Sequence, residues 1–225
     1  MLKPKVKKKD TELFEVTITN HIEISPQVFL LSFKKAYNFL PGQVIKIGLE
    51  ITIPPRIYSI CSGTESEEIS ILYNIKDDGF LTPKLATKIP GDKILVSKPY
   101  GSFIGSKEPA WWIATGTGIA PFYSMYQSGL SNNKMLIHGV KFLNQFYFED
   151  ELEWALGKNY IRCCSREESC NVLPGRVTTY INNTKELQTD IQYYICGKAL
   201  MVVETRDLLI SKGVPFKNII AEIYF

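Results

Sequence analysis

Residues 114–122 read ATGTGIAPF, and the reading of this stretch decides the fold. It closes an apolar run, AWWIAT at 110–115, and opens a second, IAPFYSMYQSGL at 119–130. Gly116 and Gly118 permit positive φ and a close approach of backbone to ligand, and a helix that begins just after them presents unpaired N–H groups to an anion such as a pyrophosphate. Pro121 falls in the first helical turn, where its missing N–H does no harm. Two glycines also make a tight strand-to-helix turn for structural reasons alone, and the pattern is GxGxxP rather than GxGxxG. Taken by itself, the turn leaves both readings open.

Working outward toward the C-terminus, the strand-then-helix unit repeats. KMLIHGV at 134–140 precedes FYFEDELEWAL, YIRCCS at 160–165 precedes RVTTYINN, and YYIC at 193–196 precedes KALMVVETRDLLISKG. Strands that alternate with helices indicate an α/β domain with a parallel sheet covered on both faces. A site selective for NAD carries Asp or Glu about 20 residues beyond the glycines, on the ribose 2′-hydroxyl. Here the next strand ends LIHGVK with no acid, while Ser165 and Arg166 follow the third strand and Arg176 comes soon after. A planar guanidinium grips phosphate through two parallel hydrogen bonds, so this pair points to the 2′-phosphate of NADP. The alternative for both arginines is a surface pairing with Glu167, Glu168 or solvent.

Toward the N-terminus the grammar changes to short β-rich runs: LFEVTIT, VFLLSF, QVIKIGL, RIYSIC, EISILYNI and KILVSK, separated by NFLPG, IPP, SGTESE and IPGD. This spacing predicts an antiparallel β-barrel with one helix near LTPKLATK. The expected organisation is a basic tail at 1–10, a barrel at 11–103 and the α/β domain at 104–225. Within the barrel, RIYS at 56–59 is odd: in a strand Arg56, Tyr58 and Ile60 share one face, and a barrel interior has little use for an arginine. An arginine can neutralise a pyrophosphate, a tyrosine ring can lie on an isoalloxazine, and a serine hydroxyl can bond to a ring nitrogen. All three suit one flavin dinucleotide laid along the strand.

These pieces occur together, in order, in a known family. RIYS, GFLTPKL, PGD with GSF, GTGIAP, SRE followed by GR, Cys196–Gly197 and the terminal AEIYF make the chain resemble the ferredoxin/flavodoxin–NADP(+) reductase family, in particular its short bacterial members, over nearly its whole length. The resemblance implies an N-terminal Greek-key flavin barrel and a C-terminal NADP domain, with FAD held where they meet. It implies that Arg56 meets the FAD pyrophosphate, Tyr58 stacks on the flavin and Ser59 bonds near N5. Leu72 and Asn74 border the ribityl and ring region, and Gly79, Leu81 and Thr82 continue the diphosphate cradle. Gly116, Thr117 and Gly118 form the nucleotide turn, with Thr117 touching flavin from the second domain. Ser165, Arg166 and Arg176 carry the 2′-phosphate; where the bacterial pattern tends to have a further arginine this chain has Lys141, which supplies charge without the fork. Tyr224 covers the flavin face that nicotinamide must reach, and Phe225 stacks on the FAD adenine.

The implied reaction is hydride transfer between NADPH C4 and FAD N5, coupled to one-electron exchange with ferredoxin or flavodoxin. Glu222 relays a proton toward the flavin, Ser59 tunes N5, and Cys196 shapes the nicotinamide approach. Two other functions share the fold: an NAD(P)H-linked electron-transfer subunit of a larger complex, which often carries an added cysteine cluster near the C-terminus, and a non-enzymatic flavin redox module.

Bulk composition agrees with a globular enzyme. The chain of 225 residues is 45% hydrophobic and 22% charged, sizes and proportions that suit two domains. Its net charge of +3 is concentrated in KPKVKKK at 3–9, too little for a nucleic-acid binder. That tail reads as solvated, or as a lure for an acidic carrier. Five cysteines without CxxC spacing and two histidines predict reduced thiols and no metal centre. With no apolar stretch of spanning length and no signal sequence, a cytoplasmic monomer free of membrane is expected.

Overall fold

The computed structural model describes residues 12–224; the basic tail and Phe225, with the adenine contact expected of it, lie outside them. The first six strands are β1 (Leu13–Ser25), β2 (Val28–Lys34), β3 (Val44–Gly48), β4 (Arg56–Ser59), β5 (Glu68–Asn74) and β6 (Lys93–Ser97), with helix α1 (Leu81–Ala86) before the last. They form one antiparallel sheet in the order β4-β3-β6-β1-β2-β5. The bridge between Ile60 and Ile71, and the bond from Cys61 N–H to the Ser70 carbonyl, join its two outer strands and close it into a barrel. Closure removes the exposed strand edges.

The barrel interior is filled by the inward residues of these strands, among them Leu31, Ile45, Ile47, Ile60, Ile71 and Val96, all fully buried. Leu85 of α1 belongs to the same cluster, so the helix seals one end of the barrel. β1 is longer than the LFEVTIT run predicts. Its first half pairs with β6 and its second with β2, and register breaks at 18–20 and 23–25 let one strand bend to serve both neighbours.

The second half contributes β7 (Ala110–Thr115), α2 (Ala120–Gln127), β8 (Lys134–Val140), α3 (Glu149–Leu156), β9 (Tyr160–Cys164), β10 (Leu173–Pro174), α4 (Val177–Asn183), β11 (Gln192–Lys198), α5 (Ala199–Ser211) and β12 (Ile219–Tyr224). The strands make a parallel sheet in the order β10-β9-β8-β7-β11-β12. β7 shows why its sequence is continuously apolar. Trp111 and Ile113 enter the cluster that α4 and α5 cover, while Ala110, Trp112 and Ala114 enter the cluster on the opposite face. Among the described residues no helix is long and apolar enough to cross a membrane, and all five cysteines are free thiols.

That opposite face also holds the barrel. Val28, Cys61, Leu72 and Phe103 share one apolar cluster with Trp112, Phe122 and Met125, so the two sheets meet through a continuous core. Polar bonds fix the junction: Ser124 Oγ of α2 donates to the Ser62 carbonyl at 2.7 Å, Gly63 N–H donates to Gln127 Oε1 at 2.9 Å and Thr64 N–H to Ser128 Oγ at 3.1 Å. The segment directly after RIYS is thereby clamped to the first helix after the glycine turn.

A side chain at Gly63 has no room in this clamp, since a Cβ there would lie 2.8 Å from both Cβ and the carbonyl oxygen of Gln127. Gly63→Ala is expected to lower stability by about 1–3 kcal/mol, read as a fall in the urea midpoint. An unchanged midpoint would mean that the two sheets are not packed this tightly.

Candidate active site at the junction of the two sheets

β12 is the last strand of the parallel sheet, and its register on β11 sets Glu222 beside Cys196 and Tyr224 beside Lys198. Strand periodicity puts Glu222 and Tyr224 on one face, toward the barrel, and leaves Ala221 and Ile223 exposed on the other. On the barrel side, β4 presents Ser59, which is 2% exposed. The Tyr224 hydroxyl donates to Ser59 Oγ at 2.7 Å, and Ser59 Oγ donates in turn to Glu222 Oε1 at 3.2 Å. One hydroxyl thus joins a phenol and a carboxylate across the domain boundary. Cys196 is completely buried beside them.

Burial sets the electrostatics of this cluster. It pushes Glu222 up to about 7, with the Ser59 hydrogen bond pulling weakly the other way. Tyr224 and Cys196 are raised well above their ordinary values, chiefly by burial and further by neighbouring negative charge. Glu222 is therefore poised to hold or release a proton near neutrality, while the phenol and thiol stay protonated. Its other oxygen, Oε2, is buried without a hydrogen-bond partner among the described residues, as is the hydroxyl of Tyr100, whose ionisation the Glu222 charge opposes.

The glycine turn lies next to this cluster. β7 and β11 are neighbours from which the chain proceeds in opposite directions across the sheet, and ligands of open α/β sheets settle at such a switch point. Gly116 has φ +54°, and a Cβ on it would meet nothing within 4 Å, so the turn opens on free space. Gly118 faces the other way: its Cβ would come within 2.5 Å of the Cys196 carbonyl oxygen. A Cβ on Gly197 would collide with Thr115 Oγ1 at 2.4 Å. The turn, with Thr117 half-buried in it, and the end of β11 are pressed together by the absence of side chains at these glycines.

The remaining expected residues fall into two further groups. On the barrel, Arg56 is exposed and forms no ion pair among the described residues; its charge lowers Tyr58, which burial pushes up to about 12. The Tyr58 ring stands edge-on to Tyr73 at 6.2 Å. Leu72, 3% exposed, commits its side chain to the apolar cluster between the sheets rather than to an open surface, whereas Asn74 is exposed at the strand end. Gly79 closes a turn on the Lys76 carbonyl, and Thr82 Oγ1 accepts the Lys76 N–H at 2.8 Å, so Gly79, Leu81 and Thr82 shape the entry to α1.

Lys141 follows β8, Ser165 and Arg166 follow β9, and Arg176 follows β10 just before α4. Ser165 N–H donates to the Val140 carbonyl, and Gly175 N–H to that of Cys164, which draws the loop ends together. Of the expected alternative, pairing of the arginines with Glu167 or Glu168 is not formed, while contact with solvent is open to both, since Arg166 and Arg176 are exposed. Glu167 instead accepts the Leu143 N–H at 2.6 Å, and neither arginine nor Lys141 forms an ion pair among the described residues. Beside these cations a groove of about 530 Å³ runs between Ser25 and Pro26 of the barrel and residues 142–145 and 167 of the other half. Sequence reasoning missed Tyr100 and Thr115. Tyr100 stands in PYGSF before the linker, and Thr115 ends the strand into the glycine turn, so adjacency to the quoted motifs is the one signal available.

Comparison with known proteins agrees with this geometry. Residues 112–207 match the family model for the oxidoreductase NAD-binding domain. The chain is 31% identical to the flavodoxin/ferredoxin–NADP reductase of Escherichia coli strain K12, over 75% of this chain and 77% of that protein. It is 27% identical to the toluate 1,2-dioxygenase electron transfer component of Pseudomonas putida, and that match covers 91% of this chain but 66% of the relative. In fold it is similar to a ferredoxin NADP+ reductase from Neisseria gonorrhoeae whose structure holds FAD and NADP, with TM-score 0.86, 22% identity and coverage of 96% of this chain and 100% of the other.

The raised Glu222 carries a stability signature. Its folded value, about 7, lies above the ordinary carboxylate value near 4.3, so the stabilisation from holding the proton is complete below about pH 4 and is lost as pH rises through about 7. Burial holds His138 down at about 3, which acts oppositely below about pH 6.5, so the measurement must be a difference. The denaturant midpoint of the parent is expected to fall relative to that of Glu222→Gln between about pH 5 and 8. Parallel pH curves for the two proteins would contradict the raised value.

Proposed function

We propose that this chain, a member of the flavodoxin/ferredoxin–NADP reductase family, holds FAD where its two sheets meet and carries electrons between NADPH and a ferredoxin or flavodoxin. It is an oxidoreductase. The observation that carries the reading is the Tyr224–Ser59–Glu222 contact set at the switch point of the parallel sheet, beside a glycine turn that opens on free space. The residues present fit the group: an exposed guanidinium at Arg56, without an ion pair among the described residues, for a diphosphate, an aromatic ring at Tyr58, and the buried Glu222 Oε2, without a hydrogen-bond partner among those residues.

FAD supplies the conversion between hydride and single electrons, which side chains cannot perform. The protein's part is orientation, exclusion of water and proton handling. Arg56 neutralises the diphosphate, Gly79, Leu81 and Thr82 cradle it at the head of α1, and Asn74 lines the open strand end. Ser59, fixed between Tyr224 and Glu222, aims its hydroxyl at the reacting edge. Glu222 keeps a proton available at Oε2, since its raised value leaves a large protonated fraction at neutral pH.

Tyr224 occupies the place that nicotinamide must enter and is displaced from Ser59 when it does. Cys196 and Thr117 wall the same cleft, with Gly116 leaving the nucleotide room and Gly118 letting the turn press on the end of β11. Ser165, Arg166 and Arg176, with Lys141 as a supporting charge, bind the 2′-phosphate; the lack of carboxylate partners for the three cations among the described residues supports this role. The likeness to a dioxygenase electron-transfer component favours a second reading, an electron-transfer subunit of a larger assembly.

Steady-state reduction of an artificial acceptor by NADPH and by NADH tests the NADP assignment. A strong preference for NADPH is expected. Arg166→Ala is expected to lower kcat/KM for NADPH about 10- to 100-fold, the worth of one charge-assisted contact, and to leave NADH nearly unchanged. Equal use of both donors by the parent, or an equal loss for both in the variant, would overturn the NADP assignment.

A further inference from the structure

His21 stands in the second half of β1, and no step of the proposed chemistry uses it. Pairing sets it opposite Leu31 of β2, and Leu31 opposite Ile71 of β5, so the half-buried imidazole is on the interior face of the barrel. Three rings gather there. Phe29 lies 5.2 Å from the imidazole, Tyr73 is stacked on Phe29 at 5.6 Å, and Tyr73 is stacked on His21 at 6.0 Å. Packing of this kind leaves the imidazole little freedom to turn.

Both ring nitrogens have partners, and the partners fix the tautomer. Nδ1 is 2.7 Å from the carbonyl oxygen of Lys88, two residues beyond the end of α1. A carbonyl oxygen can only accept, so in the neutral ring the proton sits on Nδ1 and is donated to Lys88. Nε2, 2.8 Å from the Tyr73 hydroxyl, is then bare and accepts the phenol proton. Tyr73 is 2% exposed, and its hydroxyl has no other hydrogen-bond partner among the described residues. The imidazole thereby ties the segment after α1 to a tyrosine buried in the barrel.

Tyr73 in turn backs Tyr58. The two rings meet edge-on at 6.2 Å with an interplanar angle of 71°, inside the range where such pairs attract. We propose that His21 is a positioning residue for the flavin: by holding the Tyr73 hydroxyl it fixes the ring behind Tyr58, and with it the angle at which Tyr58 meets the isoalloxazine. A Tyr73 deprived of this acceptor must keep an unsatisfied hydroxyl buried or swing toward water, and either withdraws support from Tyr58. Lys88 follows the helix whose head is assigned to the diphosphate, so one imidazole couples the two parts of the cofactor site. The effect on flavin rests on the function proposed above; the ring tautomer does not.

The chain has two histidines, so long-range proton–nitrogen spectra of the labelled, FAD-loaded protein are readable, with His21→Gln identifying the His21 signals. Recorded at about pH 8, above the ordinary imidazole value of about 6.5, they are expected to show the His21 proton on Nδ1 and a bare Nε2. FAD affinity is read from the fluorescence of flavin released on dilution, and the setting of the flavin from its visible circular dichroism. His21→Leu is expected to weaken FAD binding about 5- to 10-fold and to alter the dichroism, because it orphans the Tyr73 hydroxyl. His21→Gln, whose amide can donate to Lys88 and accept from Tyr73, is expected to stay within about 2-fold of the parent with the parental dichroism. In a Tyr73→Phe background, His21→Leu is expected to add less than about a 2-fold loss, since both polar partners are then gone. A proton on Nε2 of the neutral ring, parental affinity and dichroism in a folded His21→Leu, or an undiminished loss in the Tyr73→Phe background would overturn the proposal. If the leucine variant does not fold, Tyr73→Phe alone decides: it keeps the ring but frees it from the imidazole, altered dichroism is expected, and parental dichroism would overturn the proposal. A parent protein that takes up no FAD would overturn the assigned function, and the tautomer would still test the contacts of His21.

Discussion

A single serine hydroxyl, that of Ser59, accepts from Tyr224 and donates to Glu222, and through it the two sheets share one polar centre. Everything proposed about the chemistry depends on this convergence. It is a consequence of strand register: with Glu222 opposite Cys196 and Tyr224 opposite Lys198, these two side chains of β12 point at the barrel together. A slip of one residue would present Ala221 and Ile223 instead, and no proton-carrying group would face Ser59.

The surroundings make that centre stiff where it must be and open where a ligand must come. Apolar packing of Cys61, Leu72 and Phe103 against Trp112 and Phe122 joins barrel to sheet, and the bonds from α2 to residues 62–64 hold the strand end that carries Ser59. The same apolar enclosure raises Glu222, because ionising a carboxylate there forfeits hydration. On the other side the glycine turn keeps its outward face clear while Gly118 lets it press on β11. The cations at the ends of β8, β9 and β10 form no ion pair among the described residues.

Much of this was legible in the sequence, because it rests on local patterns. Period-two runs with turn residues gave the barrel, alternating strands and helices gave the parallel sheet, and the arginine in RIYS marked a position that the barrel leaves exposed. What was not legible depends on long-range register. The bend that lets β1 serve two neighbours, the enclosure of Leu72 between the sheets, and the unpartnered hydroxyl of Tyr100 near Glu222 all arise from residues far apart in the chain. Glu222 was identified as a proton carrier through resemblance; its raised value became visible when the barrel was seen to cover it. His138 counted in the sequence only as one of two histidines, too few for a metal centre, and its partner Tyr160 is brought to it by the pairing of β8 with β9.

The central claim is that a flavin dinucleotide sits at this junction and that Arg56 grips its diphosphate. The direct measurement is the flavin content of the purified protein, by visible absorbance before and after incubation with FAD, compared with Arg56→Ala. The account predicts a yellow protein with one FAD per chain and a variant that loses the flavin on gel filtration. A colourless parent that takes up no added FAD would contradict it.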